Sequence, residues 1–168
     1  MEEHSGYRVP EKTRIGHIHL KVSDIERSLT FYQDLLGFEV QQRFRDSAVF
    51  LSAGGYHHHI ALNTWNSKGA PPAPRYGVGL FHTAIVYPTR KDLARIVKRL
   101  LDAGYPISGV ADHGVSEAIY LQDPDGNGVE LYRDRPEAEW PRDEQGNLDM
   151  TMAEPLDIHE LLNELDQE

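Results

Sequence analysis

The chain has 168 residues, 39% hydrophobic and 26% charged, which suits one globular domain with room for a sizeable core. A formal charge of -10 argues against nucleic acid or an anionic membrane as partner, and the lack of cysteine excludes disulfides and thiolate metal sites. No apolar run approaches the roughly 20 residues that cross a bilayer, and the opening MEEHSGYRVPEK has no apolar signal core, so a cytoplasmic protein is expected.

Residues 1–12 read as a polar arm. IGHIHLKV then alternates apolar and polar, the period of a half-buried strand, with Ile18, Leu20 and Val22 on one face and His17, His19 and Lys21 on the other. Ser23 or Asp24 can cap a helix that carries Ile25, Leu29, Tyr32 and Leu36 and stops at Gly37. FEVQQRF, SAVFLSA and HHHIALNTW follow as strands between turn residues.

The Pro/Gly-rich SKGAPPAPRYG breaks the pattern, and then the same order returns. LFHTAIVY is a strand; Thr89 can cap a helix with Leu93, Val97, Leu100 and Leu101 that ends near Gly104; YPISGVAD, EAIYLQD and GVELYRD are strands. His17 lies 19 residues before the second leucine of LLGF, and His82 lies 19 before the second leucine of LLDAGY. Two βαβββ modules, about 13–66 and 79–135, are therefore expected in one domain spanning 13–135. The fold class is α+β: an open, cupped mixed β-barrel with helices outside. Residues 136–168 are an acidic tail, in which Leu156, Leu161, Leu162 and Leu165 have the spacing of a short helix docking on the domain or on a partner. A partly ordered, solvated tail fits the same composition.

Nine histidines are the unusual part of the composition. If one face of each sheet packs on a helix, the other lines a concavity. Strand alternation then turns His17 and His19 inward, with Glu130 and Tyr132 of GVELYRD, while His82 holds the position matching His17. Two imidazoles and a carboxylate on one side of an ion leave the opposite positions for substrate and dioxygen, the arrangement of non-haem Fe(II) oxygenases. A lone half-buried histidine is more often a hydrogen-bonded structural residue. Matched positions in a repeat, with an inward Glu130, favour the ligand reading of His17, His82 and Glu130.

The two-module order, HIHLKVSDIERSLTFYQDLLGFEV and DPDGNGVELY resemble the vicinal oxygen chelate superfamily over about residues 13 to 135. That superfamily includes glyoxalase I, extradiol dioxygenases, fosfomycin-resistance enzymes and bleomycin-binding proteins. Glyoxalase I takes a further glutamate from its fourth strand; the counterpart here is Ala61, which cannot bind metal. HGVSEAIYLQDPDGNGVE resembles the extradiol ring-cleavage signature, with His113, Ile119-Tyr120, Asp123-Pro124, Gly126 and the ligand Glu130 at matching places.

The resemblance implies a single-domain, catechol 2,3-type extradiol dioxygenase acting on a small aromatic substrate with O2. It implies Fe(II) held by His17, His82 and Glu130, with Mn(II) or another divalent metal as alternatives, and an assembly of homodimers or higher homo-oligomers. His113 and Tyr120 would hydrogen-bond the substrate oxygens. The family's catalytic base falls on His58, two residues before Ile60-Ala61, whereas strict strand alternation favours His59, which shares a face with Ala61. Two other readings remain open from the sequence: a non-oxidative metal enzyme, such as an isomerase or lyase of the same superfamily, and a metal-free protein that binds an aromatic compound.

Overall fold

The computed structural model describes residues 6–150 and 153–166; the first five residues of the expected arm and the tail residues 151, 152, 167 and 168 lie outside them. Eight strands form two four-stranded mixed sheets. The first holds β1 (Ile18–Lys21), β2 (Glu39–Phe44), β3 (Ala48–Ser52) and β4 (Ile60–Asn63) in the order β1-β4-β3-β2. The second holds β5 (Thr83–Val86), β6 (Ile107–Asp112), β7 (Ser116–Gln122) and β8 (Gly128–Asp134) in the order β5-β8-β7-β6. In each sheet the first strand runs parallel to the last, and the other pairings are antiparallel. Each outer hairpin also carries one register shift, at Val40/Gln42 and at Ile107/Gly109. The repeat read from the sequence is thus a repeat in hydrogen bonding. The two sheets do not close into a continuous barrel.

Helix α1 (Ile25–Leu29) is capped by the Asp24 side chain on Arg27 N. The next six residues, Thr30–Leu35, wind as a π-helix rather than continuing the α-helix expected as far as Gly37. The wider turn, visible as Leu36 N donating to Phe31 O at 2.9 Å, buries two adjacent aromatics together, Phe31 at 1% and Tyr32 at 0% exposure. Gly37 ends this segment with φ +87, as a C-terminal glycine should. Helix α2 (Arg90–Asp102) starts at Thr89, which caps Asp92 N, and buries Leu93, Ala94, Ile96, Val97 and Leu100. Leu101, expected on that buried face, is instead exposed: it follows Leu100 by one residue, which turns it about 100° around the axis.

One apolar cluster runs from Leu20 and Val22 through Phe31 and Tyr32 to Leu93, Val97, Leu121 and Leu131, so both modules share a core. Polar contacts cross the same seam. The Tyr32 hydroxyl donates to Asp123 Oδ2 at 2.9 Å, the Ser23 hydroxyl donates to Asp125 at 2.7 Å, and the Arg99 guanidinium donates to the carbonyls of Asp34 and Leu35. Leu156 and Leu161 join the core, and helix α3 (Ile158–Leu162) packs on α2. No helix among the described residues is long and apolar enough to cross a membrane.

Candidate active site

β7 and β8 pair so that Tyr120 lies directly opposite Glu130, and β8 pairs with β5 so that Glu130 lies opposite Ala84. These three residues form a line across the sheet, all on one face. His82 precedes Ala84 by two residues and so returns to that face, immediately ahead of the strand. The result is a continuous chain of contacts. His82 Nε2 is 3.0 Å from Glu130 Oε2, the Tyr120 hydroxyl donates to Glu130 Oε1 at 3.0 Å, and His113 Nε2 is 2.7 Å from the same hydroxyl. The phenol has one proton and gives it to Glu130, so His113 must donate through Nε2–H. Burial, and then the Glu130 carboxylate, push the Tyr120 phenol up to about 12, which keeps it a donor at neutral pH. Glu130 is 9% exposed, so its charge is satisfied by these neighbours more than by water.

The equivalent line in the first sheet is His19, Ala61 and Phe50, set by the same pairings. Ala61 stands where the second sheet has Glu130, and Phe50 stands where it has Tyr120. The two halves are alike in backbone and different in chemistry: the carboxylate and the phenol belong to the second half alone. His17, just ahead of β1, is the positional partner of His82. Its ring lies 4.3 Å from that of His58, and His58 is 5.2 Å from Phe50.

The histidine triplet lies ahead of β4, which begins only at Ile60, so strand alternation does not govern it. His59 accepts from Ala53 N through Nδ1 and stacks on Tyr56 at 4.7 Å, while its main chain bonds Ile18 and Leu51. It is the ring of His58 that meets His17. Burial, then the neighbouring His17 and His57 imidazoles, hold His58 below the ordinary imidazole range, so its neutral form prevails at pH 7. His19 takes a different place, 2.9 Å from the Asn63 amide and edge-on to Trp65.

The site residues therefore fall into two groups: His82, Glu130, Tyr120 and His113 in the second module, and His17 with His58 in the first. Two donors about 2.1 Å from a shared ion and at right angles are about 3.0 Å apart, so His82 and Glu130 have the spacing of adjacent ligands. The donor pair fits a divalent metal at two corners; among the described residues, no group of three His, Asp or Glu is gathered tightly enough to hold one. A cavity of about 480 Å³ follows the seam between β1 and β5. It takes in His17 and His59 but neither His82 nor Glu130, and its wall includes Ile18, Ile60, Ile85 and Tyr87, which belong to or pack on the core. The cavity thus borders the first strand of each module and meets the Tyr120–Glu130–Ala84 line only at Ala84.

Sequence reasoning did not foresee the hydrogen-bond chain through Tyr120. Its signal was available in the pairing of EAIYLQD with GVELYRD across DPDGN, which sets Tyr120 opposite Glu130 once the turn length is counted. A family model described as the Glyoxalase/Bleomycin resistance protein/Dioxygenase superfamily matches residues 14–131. A catechol-2,3-dioxygenase of Bacillus subtilis (strain 168) is 42% identical over 160 residues, 95% of this chain and 55% of that protein. Biphenyl-2,3-diol 1,2-dioxygenase 3 of Rhodococcus globerulus is 35% identical over 121 residues, 72% of this chain and 63% of that protein. The chain thus spans little more than half the length of these relatives. Among solved structures, a glyoxalase/dioxygenase from Nostoc punctiforme superposes with a TM-score of 0.63 at 18% identity, over 80% of this chain and 100% of that one, and so supports the fold alone.

Proposed function

The chain belongs to the glyoxalase/bleomycin resistance protein/dioxygenase superfamily, and on that premise we propose that it is an extradiol dioxygenase cleaving a catecholic ring with O2. The observation that carries this reading is the His82–Glu130–Tyr120–His113 chain, which joins a pair of donors spaced as adjacent ligands to a phenol kept protonated. The two dioxygenase relatives, both named for vicinal diols, support the substrate class. Fe(II), or Mn(II) in its place, would be held by His82 and Glu130 with His17 of the first module as the expected third ligand, and would acidify a catechol and make dioxygen reactive toward it.

The protein's own groups have distinct tasks in this reading. Neutral His58 takes a proton from a catechol hydroxyl, the work of a general base with a pKa near or below the operating pH. Tyr120 turns its single proton from Glu130 to a substrate oxygen, and His113 bonds the same hydroxyl from behind. Phe50, beside His58, offers an aromatic wall to the ring. Ala61 contributes no donor, which separates this site from one needing four protein ligands. A cytoplasmic homodimer belongs to the same reading, and exposed Ile15 and Phe81, each 89% accessible, offer apolar surface to a second copy.

The test is oxygen uptake by protein reconstituted anaerobically with Fe(II) and then given a panel of substituted catechols. Uptake with a yellow ring-opened product is expected, and the His82→Ala variant should lose stoichiometric iron. Iron bound without uptake would replace this reading with non-oxidative metal chemistry. Absence of metal binding, with an aromatic ligand retained in chelator, would replace it with sequestration.

A further inference from the structure

His113 sits in the three-residue connection between β6 and β7, and β6 is an edge strand of its sheet. An edge strand has one row of main-chain groups without a sheet partner. At the end of β6 that row is taken by the tail. Asp112 N donates to Glu154 O at 2.8 Å, and Glu154 N donates to Asp112 O at 2.8 Å. The Asp112 carboxylate is held in turn by the Arg135 guanidinium and accepts from Gly114 N at 2.9 Å, while His113 N donates to Ser116 O at 2.8 Å. The residue before the histidine is therefore fixed by its main chain and by its side chain together.

The tail is itself well anchored on either side of that clamp. Leu156, two residues after Glu154, is 8% exposed, and Leu161 is fully buried. Asp157 caps α3 by accepting from His159 N and Glu160 N. Arg90 ties Glu160 and Glu164 of the tail to Glu117 of β7. We propose that residues 153–166 are a strap that positions His113, through the main chain of Asp112, for its bond to Tyr120. This rests on the reading of His113 and Tyr120 as site residues. Glu154 and Asp112 are positioning residues: neither touches the site, and the exposed side chain of Glu154 has no part in the clamp. A displacement of about 1 Å in such a group is enough to cost on the order of 10²-fold in rate.

The experiment compares Glu154→Pro, which lacks the N–H given to Asp112, with Glu154→Ala, which keeps it. In the metal-free full-length protein, the ring resonances of His113 should shift in the proline variant and its Nε2–H should exchange at least about 10-fold faster. The resonances of His17 and His58 should stay where they are, and the alanine variant should match the wild type throughout. Leu156→Ala, which loosens the anchor while keeping the clamp residues, should move His113 in the same direction. With Fe(II) and a catechol, kcat of the proline variant should fall about 10-fold while KM stays within about twofold. Unmoved His113 resonances in both the proline and Leu156→Ala variants would overturn the strap, as would equal shifts in Glu154→Ala. Failure of the wild type to consume oxygen would overturn the dioxygenase reading instead, and the metal-free resonances would still decide the strap.

Discussion

Replacing Glu117 with glutamine removes a negative charge from a residue 2% exposed and surrounded by three guanidinium groups. Arg90 Nε reaches both carboxylate oxygens at 3.1 and 3.0 Å, Arg133 Nε lies at 2.7 Å and Arg135 Nη2 at 3.4 Å. Removing one partner of a buried ion pair costs about 3–5 kcal/mol, because the other charge stays desolvated. Here the low end applies. Arg90 keeps Glu160 and Glu164, Arg135 keeps Asp112, and among the described residues Arg133 alone loses its carboxylate. A loss of about 3 kcal/mol lowers the melting temperature of a chain this size by about 6–12 °C.

The pH dependence has a definite sign. Burial would raise the Glu117 carboxyl, but the bonds from Arg90 and Arg133 outweigh it and hold the group below the usual carboxylate range. A depressed native pKa gives stability that is complete above the unfolded value, about 4.3, and is lost as pH falls through the native value. Urea unfolding of metal-free wild type and Glu117→Gln should therefore differ fully at pH 7 and converge as the pH drops below about 4. A difference under about 1 kcal/mol at pH 7, the size of an exposed pair, would refute the assignment of Glu117 as a buried hub. So would a difference that persists unchanged at pH 3.

Tyr32→Phe should cost about 1.5–3 kcal/mol in urea unfolding, since the fully buried phenol donates to the Asp123 carboxylate across the seam between modules. Gly128→Ala should destabilise by at least about 1–3 kcal/mol and weaken binding of added Mn(II). Its new Cβ would stand 2.2 Å from Phe81 O and 3.1 Å from the His82 Cβ, forcing β5 away from β8 and His82 away from Glu130. Comparing the 295 nm absorbance of wild type and Tyr120→Phe during alkaline titration should show no Tyr120 ionisation below about pH 11, given a pKa raised to about 12. In metal-free protein, the His58 ring should titrate below about 6.5 by NMR.

The strand GVELYRD is legible to the residue, as is the Thr89 cap, because period-2 alternation and an N-cap hydroxyl are local signals. The first strands of both modules are shorter than their sequence patterns. They leave His17 and His82 just outside the ladder, since an apolar run does not record where a partner strand ends. The π-turn at Thr30–Leu35 was hidden for a related reason: one extra residue in a turn leaves a short 3.6-period pattern almost unchanged. The tail had a readable signal that composition masked. DEQGN makes the turn that DPDGN makes, with Asp143 and Asp123 each accepting from the main chain and the side chain of an asparagine four residues on. An acidic stretch containing such a turn is built to fold back.

The two histidines proposed as ligands stood out for a reason separate from chemistry. His17 and His82 were singled out because the chain repeats, and the repeat proves true in strand order and register. The same register shows why the halves are not equivalent as sites, since Ala61 and Phe50 stand where Glu130 and Tyr120 do. A duplicated backbone supplies two matching histidines at little cost in fold, and the chemistry then depends on the one half that adds a carboxylate and a phenol beside its histidine. What spacing could not reveal is the support behind that half. Asp112, Arg135 and Glu117 lie within 23 residues of one another in sequence, yet their junction with the tail depends on where an edge strand stops. Edge pairing is settled by tertiary packing of Leu156 and Leu161, so it belongs to the folded molecule and leaves no period in the sequence.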